Sequence, residues 1–144
     1  MNWILVDASD AKMGRMASEV AKRLLKGESI AIVNCEKAVV SGNKENILHR
    51  FQVRVDRHAK GNPMKGPKYS RMPDRIVKYS IRTMMPFRRE RGRQALKRLR
   101  VYVGIPNQLK GKEFVQFPES MKPVSGKAYS VKQISQLLGA KVEA

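Results

Sequence analysis

Apolar residues along the chain change their spacing in blocks, and each change marks an element. Trp3 to Val6 is a short apolar run ended by Asp7 and the polar stretch from Ala8 to Lys12, which predicts a buried strand entering a loop. Met13, Met16, Ala17, Val20, Ala21, Leu24 and Leu25 then recur at helical offsets, giving one apolar face that Gly27 can stop, with Glu19 and Arg23 placed to pair on the outer side. Ile30 to Val33 is a second strand-like run. Strand, helix and strand at this spacing predict a right-handed crossover in a parallel sheet, hence an α/β fold.

A third short run, Ala38 to Val40, precedes the turn pair Ser41 and Gly42, after which Asn43 can cap a helix reaching about Arg57. In that helix Ile47, Leu48, Phe51 and Val55 share one side, while Arg50, Arg54 and Arg57 recur on another. Residues 59–72 hold glycines, prolines and Lys60, Lys65, Lys68 and Arg71, but almost nothing that forms a core, so they predict a basic loop. Pro73 suits the first turn of a helix whose apolar face is Ile76, Val77, Ile81, Met84 and Met85, with Pro86 ending it.

A more basic helix is expected from about Arg89 to Arg100. Arg89, Arg93, Lys97 and Arg100 lie on one side, with Gly92, Ala95, Leu96 and Leu99 opposite. Val101 to Val103, closed by Gly104 and Pro106, is a fourth strand candidate. Residues 112–144 read as a C-terminal wrapping tail anchored by Phe114, Phe117, Pro118, Met121 and Pro123. Ser130 and Gln133 form a capping box before a short helix that Gly139 closes. The expectation is a single domain over 1–144.

Charge changes this picture. Residues 41–112 carry 20 Lys/Arg against 4 Asp/Glu, so this block supplies nearly all of the chain's net +18. A compact protein tolerates such self-repulsion when a polyanion neutralises it, and nucleic acid is the commonest one. A solvated face normally mixes signs, whereas only Asp56, Asp74 and Glu90 interrupt the stretch from Arg50 to Arg100. Guanidinium forks and ammonium groups match phosphate oxygens. In the basic loop, Tyr69 can stack on a base or pack back on the domain.

Other chemistries find less support. The junction from Asp7 to Arg15 could hold a phosphate on backbone amides, but neither GxGxxG nor GxxxxGK[ST] occurs, so a Rossmann-like nucleotide-binding enzyme is the weaker alternative. Cys35, His49 and His58 have no zinc spacing; Cys35 is expected in the core and the histidines facing RNA or solvent. No catalytic constellation, metal site or cofactor is expected. With one cysteine, no intramolecular disulfide can form. No segment approaches the ~18 apolar residues of a membrane span, and Met1 leads into an aspartate-bearing strand pattern instead of a signal peptide. A cytoplasmic location without membrane binding follows as an expectation.

The run from Ser80 to Pro106, with MMPF, RGR, AL, RL and VYVG, resembles the signature region of the universal large-subunit ribosomal protein thirteen family in its archaeal and eukaryotic style. WILVDASDAKMGRMASEVAKRLLKG (3–27) and IVNCEKAVVSGN (32–43) are similar to the same family, and the absence of a long C-terminal helical extension looks archaeal. The resemblance implies a three-layer α/β/α fold around a four-stranded, mainly parallel sheet. It also implies a non-enzymatic structural constituent of the large ribosomal subunit, bound to large-subunit rRNA and neighbouring ribosomal proteins and acting early in assembly. Some relatives outside the ribosome suggest a second alternative, regulatory mRNA binding. By matching position, Arg88, Arg91 and Arg93, followed by Lys97, Arg98 and Arg100, become leading rRNA contacts. Arg50, Arg54, Arg57, Arg89 and the loop cations named above complete the expected interface.

Overall fold

A three-stranded parallel sheet organises the protein, whose computed structural model describes residues 3–142. The strand β1 (Trp3–Asp7) leads through α1 (Met13–Lys26) to β2 (Ser29–Val33), and β4 (Leu99–Val101) lies on the other side of β2. Trp3 is opposite Ser29 in one ladder and Ile30 opposite Leu99 in the other. All five residues of β2 are buried, as an apolar central strand covered on both faces must be. Met16, Ala17, Val20 and Leu24 of α1 are fully enclosed, so the apolar face read from the sequence is the one that packs. Gly27 ends the helix at φ 106°, a left-handed conformation that glycine adopts without a Cβ penalty.

The expected four-stranded parallel sheet is not formed. After β2, Asn34 takes a left-handed backbone at φ 53° and Cys35–Lys37 makes a 3₁₀ turn, which redirects the chain. The third candidate strand therefore becomes β3 (Val39–Ser41) and pairs antiparallel with β5 (Ala128–Ser130) in a separate two-stranded sheet. Beside β1 there is one bridging residue, Val115. Its N–H donates to the Leu5 carbonyl at 2.8 Å and its carbonyl accepts from the Asp7 N–H at 3.1 Å. The chain then turns inward to bury Phe117 and reaches Pro118, which has no N–H with which to extend a ladder.

The remaining helices are α2 (Lys44–Asp56), α3 (Pro73–Thr83), α4 (Glu90–Lys97) and α5 (Val131–Leu137). Pro73 occupies the first turn of α3, and Ser130 with Gln133 forms the expected capping box on α5. Several local expectations need correction. Asn43 stands at the N-cap of α2 but its side chain makes no capping bond. Glu19 pairs with Lys22 at 3.0 Å, and Arg23 reaches Glu28 at 3.8 Å instead. The helix α4 stops at Lys97, before Arg100, because Leu99 and Val101 are needed opposite β2. One contiguous apolar cluster joins β1, β2, α1, α3 and α5, and each fully enclosed large aliphatic side chain in it contributes ~1.5–3 kcal/mol relative to exposure.

Polar pins close the periphery. Asp7 accepts from the Ser9 hydroxyl at 2.8 Å, the Asn34 amide at 3.0 Å and the Gln116 amide at 3.3 Å, tying the end of β1 to β2 and to the tail. Burial opposes ionisation of this carboxyl, yet these bonds outweigh it and hold Asp7 below its ordinary value. Phe117 is the main tail anchor, buried with the Arg23 guanidinium 4.9 Å above its ring; Met121 packs partly against the core. Pro118 and Pro123 are exposed. No helix of the described residues is long and apolar enough to cross a membrane.

Candidate nucleic-acid interface

Amphipathic helices aim the first group of cations. Burying Ile47 and Phe51 of α2 turns Arg50 outward and leaves Arg54 half-buried beside two rings, 5.7 Å from the centroid of Phe51 and 5.7 Å from that of Tyr79 on α3. Arg50 also lies over Phe51, at 5.6 Å. These aromatic contacts hold guanidinium groups in place without neutralising them. Arg54 stands between two clefts. One, of about 410 Å³, lies between α2, α3 and the end of the basic loop, and brings Arg54 together with Lys68, Arg75, Lys78 and Arg82. The other, of about 430 Å³, opens toward the start of α1 and gathers Lys12, Arg15, Arg50 and Arg54. Among the described residues, neither cleft is lined by an aspartate or glutamate.

Five of these cations were not among the sequence-derived site residues: Lys12 and Arg15 at the start of α1, and three on α3. Arg75, Lys78 and Arg82 sit on α3 at offsets 0, 3 and 7, so they share its solvent face with Tyr79. The signal was present in the sequence as the complement of the apolar face Ile76, Val77 and Ile81.

The basic loop forms neither helix nor strand from Arg57 to Met72. It doubles back on itself: a Cβ on Gly66 would come within 2.6 Å of the Ala59 backbone nitrogen. Its far end is fastened by the Ser135 hydroxyl of α5, which donates to the Arg71 carbonyl. Arg57, Lys60, Lys65, Lys68 and Arg71 are all exposed along it. Tyr69 packs back edge-on against Tyr79, with centroids 5.4 Å apart at 78°. The Tyr69 hydroxyl, followed by burial, holds the Tyr79 phenol above its ordinary value. His49 and His58 are exposed, and His58 Nδ1 lies 2.7 Å from the Asp56 carbonyl.

The second group stands on α4. Gly92 lets this helix approach the preceding turn so closely that a Cβ there would be 2.1 Å from the Pro86 carbonyl oxygen. Arg88, Arg89, Arg91, Arg93, Lys97 and Arg100 are exposed around it. Two arginines of the expected contact set have work inside the protein. Arg98, half-buried, donates to the Leu24 carbonyl at 3.0 Å, and Arg91 reaches the Leu25 carbonyl at 3.5 Å. Both thereby satisfy the C-terminal end of α1, where carbonyls lack helical partners and the dipole favours positive charge. Arg93 donates to the Arg88 carbonyl at 3.0 Å and lies 3.9 Å from Glu90. Arg89, Lys97 and Arg100 have no such engagement among the described residues. The α4 cations line neither cleft, although Leu96 of α4 borders the first.

Cys35 is buried, and burial followed by the nearby Glu36 and Asp74 carboxylates pushes its thiol up to about 12. Among the described residues, no group of His, Cys, Asp and Glu could hold a metal ion.

A family model described as Ribosomal protein L13 matches residues 1–108. The chain is 44% identical over 138 residues to the large ribosomal subunit protein uL13 of Methanosphaera stadtmanae, covering 95% of this chain and 97% of that relative. It is 43% identical over 138 residues to the protein of the same name from Methanocaldococcus jannaschii, covering 95% and 98%. With that of Methanopyrus kandleri it shares 48% identity over 104 residues, covering 72% and 64%.

Proposed function

As the chain belongs to the ribosomal protein L13 family, whose archaeal relatives are named as proteins of the large ribosomal subunit, we propose that it binds large-subunit rRNA early in assembly of that subunit. The role is structural; the family is not enzymatic. One domain, in the cytoplasm, uses its α/β core to hold two basic surfaces against separate RNA segments. Arg50, Arg54 and Arg57 of α2 with Lys60, Lys65, Lys68 and Arg71 of the loop face one segment. Arg88, Arg89, Arg91, Arg93, Lys97 and Arg100 around α4 face the other, while Arg98 acts mainly by fastening α4 to the end of α1. Neighbouring ribosomal proteins complete the surroundings.

One observation carries this reading. Among the described residues, Arg93 alone of these cations meets a carboxylate within 4.0 Å, so the positive charge is held outward and uncompensated. A duplex or folded RNA offers regularly spaced phosphates to such surfaces, and recognition proceeds by charge and shape. Replacing Arg89, Lys97 and Arg100 together by glutamate should leave circular dichroism and melting unchanged while abolishing co-migration with the large subunit in a sucrose gradient. A variant that still co-migrates at wild-type level would refute the reading. Wild-type protein found with messenger RNA and absent from the subunit peak would favour a regulatory role instead.

A further inference from the structure

The 410 Å³ cleft beside Arg54 contains more than phosphate binding requires. Its floor is apolar, made by Phe51, Val55, Ile76 and Leu96, and Tyr69 and Tyr79 form an edge-on aromatic wall. Five cations stand around it, and among the described residues no carboxylate lines it. Its size falls within the ~300–1,000 Å³ usual for small-ligand sites.

Charge and shape together narrow the occupant. A lone phosphate would satisfy the cations and leave the apolar floor and the aromatic wall unused. An apolar peptide would fill the floor and leave Arg54, Lys68, Arg75, Lys78 and Arg82 uncompensated. A paired RNA helix keeps its base faces stacked and cannot offer them. An unpaired nucleotide presents both parts at once, a flat apolar base and an anionic backbone, and bases splayed out of loops and bulges stack on aromatic rings and guanidinium planes.

We propose that this cleft receives one unpaired nucleotide of the bound RNA, its base against Tyr69 and Tyr79 and its flanking phosphates on Lys68, Lys78 and Arg82. The assignment rests on the RNA-binding reading above and specifies what that site takes. Tyr69 arrives on the basic loop and Tyr79 on α3, so occupancy would also fix the loop against the helix.

The test uses two RNA hairpins of equal length, one fully paired and one carrying a single bulged 2-aminopurine ribonucleotide, with further bulged hairpins bearing each natural base. The best bulged hairpin should bind about tenfold more tightly than the paired one, in the range a single base stack supplies. Fluorescence of the 2-aminopurine should change on binding. Tyr69→Ala and Tyr79→Ala should each remove the preference while leaving paired-hairpin affinity intact, and Tyr79→Phe should retain it. If Tyr79→Ala unfolds the protein, the loop variant Tyr69→Ala must abolish the preference by itself. Equal affinity for paired and bulged hairpins while large-subunit rRNA is still bound, or a preference that survives Tyr69→Ala, would overturn the cleft assignment alone. Failure to bind large-subunit rRNA at all would overturn the reading beneath it.

Discussion

Gly92→Ala separates packing from propensity by the sign of its effect. Gly92 is buried in α4, and an added Cβ would meet the Pro86 carbonyl oxygen at 2.1 Å, the Pro86 carbonyl carbon at 2.5 Å and the Phe87 nitrogen at 2.9 Å. All three are backbone atoms, so no side chain can rotate away; either the turn from Met84 to Arg89 or the helix itself must shift. Helix propensity alone would make alanine better than glycine by ~1 kcal/mol. Overpacking costs ~1–3 kcal/mol, and contacts this short against backbone place the cost at the upper end, leaving a net destabilisation of ~2 kcal/mol. With a urea slope of ~2 kcal/mol/M, the unfolding midpoint should fall by ~1 M. Gly14→Ala is the control. Gly14 lies in α1 with nothing within 4 Å of an added Cβ, so its midpoint should stay level or rise. A rise for Gly92→Ala equal to that of Gly14→Ala would refute the close seating of α4 on the Pro86 turn, and with it the positioning of the α4 cations.

Two further outcomes follow from buried chemistry. Asp7 has its pKa lowered from an ordinary 3.8, so its bonds contribute stability above that pH and lose it as pH falls through the lower folded value. Because the group is partly solvated, Asp7→Asn should cost only ~1 kcal/mol at neutral pH, and urea melts should show that difference shrinking as the pH falls below the ordinary carboxyl value; a difference independent of pH would contradict the bonding described. Cys35, buried with its thiol raised to about 12, should resist a disulfide exchange reagent in the native protein and react in step with unfolding as urea is added; rapid native labelling would place it elsewhere.

Much of the fold is legible wherever one period dominates. The face of α1 from Met13 to Leu24, the proline start of α3 and the Ser130 capping box each rest on local chemistry, and each is present. The sheet was harder because a three-residue strand has no period long enough to identify its partner. Val39–Ser41 looks like any buried strand, and its antiparallel pairing with Ala128–Ser130 depends on a redirection at Asn34 that no local pattern announces. The end of α4 was readable in principle: Leu99, Val101 and Val103 alternate with Arg100 and Tyr102, but the helical offset of Arg100 competes with that period.

The basic surfaces show the same division. Charge excess between residues 41 and 112 identifies the cations as a set, and the apolar faces of α2 and α4 indicate which way most of them point. Tertiary contacts decide the rest. Arg98 and Arg91 turn to the last carbonyls of α1, far away in sequence, and Arg75, Lys78 and Arg82 join Arg54 only because α3 lines the same cleft as α2 and the end of the loop. Gly92 could be recognised as a member of RGR, but its reason lies in a backbone contact that the sequence does not display.

The central claim is that outward, uncompensated cations neutralise RNA phosphates, and the affinity for large-subunit rRNA as a function of salt tests it most directly. If ~6–10 phosphates are engaged, log affinity should fall linearly with log salt, losing ~10³–10⁵-fold between 50 and 200 mM. An affinity that stays level across that range would contradict the account.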